Sequence, residues 1–255
     1  MSMIISVANQ KGGVAKTTTA GALAAGLALR GYKVLALDLD PQGNLSFNAA
    51  ADNENMPTMY EVLKKTIKIS DAIQNSEKFD IVPANILLAG IEQEVNGVDK
   101  AFRLKESLSS IKDNYDFIVI DTPPALGTLT VNAFSASDRI LIPSNAGSFA
   151  VQGIVQLYDT VKSVITYCNP SLKISGILLT KYNPRSNISK SMKEITENIG
   201  KAINAKVFDT FIRMTTVVEE AQAVKTDIFT YSPKATATED YDNFITEFLE
   251  EEGIK

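Results

Sequence analysis

Residues Lys11-Gly12-Gly13-Val14-Ala15-Lys16-Thr17-Thr18 lie between a short apolar run, Ile4-Ile5-Ser6-Val7-Ala8, and an Ala-rich segment from Thr19 to Leu29 that favours helix. A strand, a small-residue loop and a helix in that order leave few folds open. They also make a phosphate cradle, because successive backbone N–H groups and the positive end of the helix converge on one anion. Lys16 then reaches β- and γ-phosphates, and the Thr17 hydroxyl can ligate Mg²⁺. Measured against G-x-x-x-x-G-K-[ST], Gln10 replaces the first glycine and Ala15 the last, so the flanking strand and helix carry the identification. Glycine commonly fills the place of Ala15 because its backbone passes close to the phosphates. We expect right-handed backbone there, where the extra methyl only crowds the loop; a left-handed conformation would cost about 1–2 kcal/mol.

Near-continuous apolar runs at residues 3–8, 33–38, 117–121, 139–143 and 174–180 are what a parallel sheet covered on both faces requires. Weaker runs at 79–83 and 206–212 add strands. Helical patterns fill the gaps at 17–30, 58–65, 104–112, 151–167, 189–202 and 238–251, with Thr58 and Glu61 forming a capping box. The alternation predicts a doubly wound α/β fold, mostly parallel, with helices on both faces and a single domain over residues 1–255. A chain of 255 residues can bury a sizeable core, and no apolar run reaches a membrane span. One cysteine, Cys168, fits a reducing cytoplasm and excludes an internal disulfide framework. With no histidine, catalysis must use carboxylates, lysines, metal and positioned water. The net charge of −5 means that any nucleic-acid contact must come from a local basic patch.

In open parallel sheets the ligand sits beyond the carboxyl ends of the strands, and here those ends carry aspartates. One strand ends Leu37-Asp38-Leu39-Asp40-Pro41-Gln42-Gly43-Asn44, another Ile120-Asp121-Thr122-Pro123-Pro124. Asp121 is the candidate to hold Mg²⁺ with Thr17. A carboxylate such as Asp40 near a γ-phosphate can align the attacking water, which phosphoryl transfer needs more than a strong base.

The second lysine at the head of the loop, Lys11, and the stretch from Asp38 to Asn44 resemble the deviant Walker A ATPases. That group contains the ParA and Soj partition ATPases, the division-site ATPase MinD and the nitrogenase iron protein. The single cysteine argues against the iron protein, whose cluster takes two cysteines from each subunit. The resemblance implies an Mg²⁺-dependent ATPase, weak unless stimulated, that forms an ATP-dependent homodimer. It implies that Lys11 crosses the dimer to the partner's phosphates, that Asp40 orients water, and that Asp38 and Pro41, Gln42, Gly43 and Asn44 sense the γ-phosphate. The nucleotide set is then Lys11, Gly12, Gly13, Val14, Ala15, Lys16, Thr17 and Thr18, with Lys181 beside the adenine. Lys11, Lys16 and Asp40 are the catalytic candidates.

Further along, Thr180-Lys181-Tyr182-Asn183-Pro184-Arg185-Ser186-Asn187 also resembles the partition ATPases, so that the likeness covers nearly the whole chain. It places DNA contacts at Arg185, Lys190, Lys193, Arg213 and Lys225, with Lys234 weaker. Val217 and Val218 stand where relatives often carry basic residues, which thins that patch. Phe244, Ile245, Phe248 and Leu249 form one apolar face opposite an acidic one, so we expect the final helix to pack on the domain and not on a membrane. The short start matches the Soj-like type without a DNA-reading extension. The expectation is a cytoplasmic, nucleoid-associated partition ATPase that coats nonspecific double-stranded DNA and is released by a ParB-like adaptor. Two alternatives are a ParA-like positioner of a protein cargo and a metabolic P-loop enzyme of the amidoligase or dethiobiotin synthetase kind.

Overall fold

The computed structural model describes residues 2–145 and 150–254. Eight strands, β1 (Met3–Val7), β2 (Val34–Asp38), β3 (Gln74–Asn75), β4 (Asp80–Val82), β5 (Phe117–Asp121), β6 (Arg139–Asn145), β7 (Lys173–Tyr182) and β8 (Val207–Arg213), form one sheet in the order β3-β4-β2-β5-β1-β6-β7-β8. Every pairing is parallel except β3 with β4. From the central β1 the chain winds outward on one side. It returns through β5, then crosses to β6, β7 and β8 on the other side. All seven expected strands are present, with ends shifted by one or two residues. The two-residue β3 carries too little pattern to be seen in sequence.

The helices are α1 (Lys16–Leu29), α2 (Asn44–Asn48), α3 (Met59–Leu63), α4 (Ile91–Glu94), α5 (Arg103–Leu108), α6 (Thr128–Ala136), α7 (Ala150–Tyr167), α8 (Asn187–Ala202), α9 (Val217–Ala223), α10 (Ile228–Tyr231) and α11 (Thr236–Glu251). Two apolar cores flank the sheet. One gathers α1, α2 and α9 to α11; the other gathers α3 to α8. This double burial explains the unbroken hydrophobicity of the central strands, whose five residues are buried throughout in β2 and β5.

Alanines and glycines give α1 a thin profile, and it is buried from its first turn to Leu27. At Gly26 there is no room for a side chain, because Ile245 of α11 and Phe229 of α10 fill the space. The capping box at Thr58 forms as expected: the Glu61 carboxylate accepts from the Thr58 amide at 2.8 Å and the Thr58 hydroxyl accepts from Tyr60 N at 3.3 Å. Helix α6 was not expected from sequence. Its Thr-Leu-Thr-Val-Asn-Ala-Phe-Ser-Ala run has weak helix formers, and burial on nearly every side leaves no polar stripe to reveal it.

As expected, the terminal helix turns its apolar face inward: Phe244, Ile245 and Phe248 are fully buried, with Phe244 edge-on to Phe208 at 5.0 Å between ring centroids. Phe244→Ala should therefore lower unfolding free energy by about 3–5 kcal/mol in urea denaturation. A change below about 1 kcal/mol would mean that α11 is not part of the core.

Candidate functional site

Strand register brings the site together. In the β1–β5 pairing Val7 stands opposite Asp121, and in the β2–β5 pairing Asp38 stands opposite Asp121. The carboxyl ends of β2, β5 and β1, adjacent in that order, thus reach the same level, and the Lys11–Thr18 loop leaves from β1. Thr122 Oγ1 donates to Val7 O at 2.9 Å, and Thr180 Oγ1 donates to Val14 O at 3.1 Å, fixing the loop from both sides.

Within the loop the backbone at Gly12 and Gly13 faces open space, while the left-handed φ of 75° at Gly13 favours glycine. Lys16 is buried and curls back so that its ammonium donates to Lys11 O at 3.3 Å. Ala15 corrects our expectation: φ 64° and ψ 35° are left-handed, not right-handed. This residue precedes α1 directly, and its carbonyl already accepts from Thr19 N at 2.9 Å. Turning the loop's amides inward while starting the helix requires the reversal, and alanine carries the cost that glycine would avoid.

Asp121 is fully buried, and neither of its carboxylate oxygens has a hydrogen-bond partner among the described residues. Burial pushes its carboxyl well above the ordinary range, and the charge of Asp38 adds to this, while the nearby Thr17 hydroxyl and Lys16 ammonium oppose it. Asp38 is raised to about 6, again mainly by burial, against the hydrogen bonds it accepts. For Lys16, burial lowers the pKa while Asp121 and Asp40 raise it. An orphaned buried carboxylate beside a hydroxyl and an open phosphate cradle fits a hard cation with oxygen ligands. Among the described residues no group of three or more His, Cys, Asp or Glu side chains could hold a metal alone, so such an ion would complete its shell with phosphate and water.

Asp40, at 8 % exposure, caps its own turn, accepting from Gln42 N at 3.0 Å. It opens with Asn44 onto a cleft of about 410 Å³ whose other walls include Lys16, Thr17, Lys181, Arg213 and Gln222. That size suits a nucleotide-sized ligand. Pro41 and Gln42 lead to Gly43, whose φ of 64° starts α2. The Lys11 ammonium donates to Asn145 Oδ1 at 3.1 Å, within this chain.

The candidate basic contacts fall in three separate places. Arg185 and Lys190 are exposed at the start of α8, with Lys193 half-buried on the same helix and 3.9 Å from Glu197. Arg213 does not fit a free phosphate contact: its guanidinium grips Asp240 at 2.6 Å and 3.0 Å and lines the cleft. Lys225 lies over the Phe47 ring at 4.5 Å, away from α8. Residues not anticipated from sequence also shape the cleft. Gln222 Nε2 donates to Thr18 Oγ1 at 3.2 Å, and the Tyr241 hydroxyl pairs with Thr19 Oγ1 at 3.2 Å. Both are far from the loop in the chain, and no local pattern marks them.

Two outcomes follow. Ala15→Gly should raise stability by about 1 kcal/mol in urea unfolding, relief of the left-handed strain outweighing the added chain entropy; a loss of stability would contradict that backbone conformation. Because the Asp38 and Asp121 carboxyls are raised above the ordinary 3.8, ionising them costs stability. The cost is absent below about pH 4 and grows as pH rises through the folded values, about 6 for Asp38. Asp121→Asn, measured in EDTA, should accordingly stabilise the protein at pH 8 and do so much less at pH 4. Equal effects at both pH values would overturn this electrostatic account.

Comparison with known proteins agrees with this geometry. A family model described as AAA domain matches residues 2–174. The chain is 38% identical over 245 residues to the sporulation initiation inhibitor protein Soj of Bacillus subtilis, covering 94% of this chain and 96% of Soj. It is 34% identical over 255 residues to the chromosome partitioning protein ParA of Caulobacter vibrioides, covering 98% and 94%. Cobyrinic acid a,c-diamide synthase from Mycobacterium smegmatis, solved with bound ADP and magnesium, superposes with a TM-score of 0.84 at 31% identity over 96% of this chain and 93% of that one. A plasmid partition protein from Borrelia burgdorferi gives 0.76 at 27% identity over 98% of both chains. Near-full-length identity to Soj and ParA, on a sheet that presents the loop and its aspartates together, places the chain in the AAA domain family, as a member of the Soj/ParA group.

Proposed function

We propose that this protein is an Mg²⁺-dependent ATPase of the ParA/Soj type that moves DNA cargo. The observation that carries this reading is the meeting of the Gly12–Gly13 loop, the buried Lys16 and Asp40 around one cleft, with the buried Asp121 carboxylate beside Thr17 and Lys16. The amides of residues 12–18 would bind the phosphates of ATP, with Lys16 on the β- and γ-phosphates. Thr17 and Asp121 would hold Mg²⁺, which neutralises phosphate charge when bound. Asp40 would align water for in-line attack. Lys181 and Arg213, which line the cleft, would lie beside the base.

Lys11 would leave Asn145 and reach the partner's ATP in a sandwich dimer, offsetting charge in the transition state as an arginine finger does. The acceptor its ammonium meets among the described residues is the neutral Asn145 amide, which a phosphate readily outcompetes. The dimer would bind DNA through Arg185, Lys190 and Lys193 at the start of α8, by sequence-independent phosphate neutralisation. A ParB-like adaptor would stimulate slow intrinsic hydrolysis and release the dimer from the nucleoid. In a protein of net charge −5 this contact depends on the local cluster, so salt should abolish it readily.

A second reading comes from the likeness to the cobyrinic acid a,c-diamide synthase structure: a metabolic enzyme that uses ATP to activate a carboxylate. The partition reading is favoured by higher identity to Soj and ParA and by the Asp38–Asn44 segment, of which Asp40 and Asn44 line the cleft. Fluorescence anisotropy of a labelled nonspecific duplex at low salt separates the two. Binding is expected with ATP and Mg²⁺, not with ADP and Mg²⁺, and should fall at least tenfold between 50 and 200 mM salt. Absence of binding despite confirmed ATP occupancy, with turnover stimulated by glutamine and a carboxylic acid substrate, would move the metabolic reading to the front.

A further inference from the structure

Both loops that leave the strand-end aspartates open onto helices that lack a side-chain cap of their own. Helix α2 begins after Gly43 and α6 after Gly127, and neither residue can supply one. In each case a carboxylate from elsewhere takes that place. At α2, Asp38 Oδ2 accepts from the Ser46 amide at 2.9 Å and the Ser46 hydroxyl at 2.7 Å, while Asp38 Oδ1 accepts from Asp40 N at 3.0 Å. At α6, Glu92 of α4 accepts from Thr128 N, and its carboxylate occupies the space that a side chain at Gly127 would need.

One short segment reaches both. The Ser46 hydroxyl, fully buried, also accepts from Ala84 N at 2.9 Å. Ala84 O accepts from Asn53 Nδ2 at 2.9 Å, and this carbonyl lies 3.1 Å from where a Cβ on Gly43 would be. Eight residues later the same segment presents Glu92 to the loop that follows Asp121. We infer that residues 84–92 form a strap that ties the Asp40 loop to the Asp121 loop, with Ser46 and Glu92 as positioning residues at its two ends. The strap makes the two loops move together, so that water alignment at Asp40 and metal holding at Asp121 are set as one event. Its consequence for turnover rests on the ATPase reading above; the mechanical coupling does not.

Hydrogen exchange by mass spectrometry on the full-length protein, without nucleotide, tests the coupling directly. Ser46→Ala should speed exchange about three- to tenfold not only in 40–48 but also in 122–133, and Glu92→Ala should do the same in reverse. Ser46→Thr, which keeps the hydroxyl, should restore wild-type exchange in 122–133. Changes confined to the helix that carries each substitution would overturn the strap. Glu92 is exposed, so its variant remains informative even if Ser46→Ala folds poorly. In ATP turnover, both alanine variants should lose about tenfold in kcat with KM shifted less than threefold; a rise in KM alone would reduce the strap to ground-state binding and overturn its role in positioning. Should the wild-type protein hydrolyse no ATP, the proposed function falls, while the exchange pattern still decides the strap.

Discussion

Two carboxylates sealed at the ends of adjacent parallel strands, with one lysine curled beside them, are the constraint around which this molecule is arranged. Asp38 and Asp121 stand opposite each other in register and are both fully buried. Taking two like charges out of water is expensive unless something answers them. Asp38 is answered internally, by two amides and a hydroxyl. Asp121 is answered only in part, by the nearby Thr17 hydroxyl and Lys16 ammonium, and neither of its oxygens has a hydrogen-bond partner among the described residues, a cost that folding alone does not recover. A cation and a polyphosphate in the adjoining cleft would recover it, which links nucleotide binding to the stability of the sheet's centre.

The surrounding structure serves that centre. Helix α1 must start at the loop and also lie flat on the sheet, and its small residues permit both. Its outer side is held by α11 through the Thr19–Tyr241 contact and the packing at Gly26. The Arg213–Asp240 pair ties the end of β8 to the same helix, so the last elements of the chain wall the cleft. Strain at Ala15 belongs to the same logic. A left-handed residue before a helix aims amides at an anion, and a structure this well braced can hold alanine there.

Sequence alone made much of this legible. The strand runs, the capping box at Thr58 and the inward face of the last helix all follow from short-range patterns that a buried parallel sheet or an amphipathic helix imposes. Helix α6 and the two-residue β3 were hidden because one is buried nearly all round and the other is too short for a period. For the site, Lys16 and Asp121 stood out as candidates because one opens α1 and the other closes β5, and Asp40 because it lies two residues past the end of β2. Gln222, Tyr241, Ser46 and Glu92 did not, since each acts on a residue distant in the chain or through a neighbour's backbone.

The sequence by itself determined the fold class and the family, because burial on both faces and a phosphate-binding loop each require particular residues at adjacent positions. Tertiary structure alone decided which groups meet. It engaged Arg213 with Asp240, laid Lys225 over Phe47, and set Ala15 in the left-handed region against expectation. The physical reason is one of range. Hydrophobic period and turn chemistry act over a few residues, whereas charge pairing, orphaned polar atoms and backbone strain depend on what the folded chain brings within a few ångströms from far away.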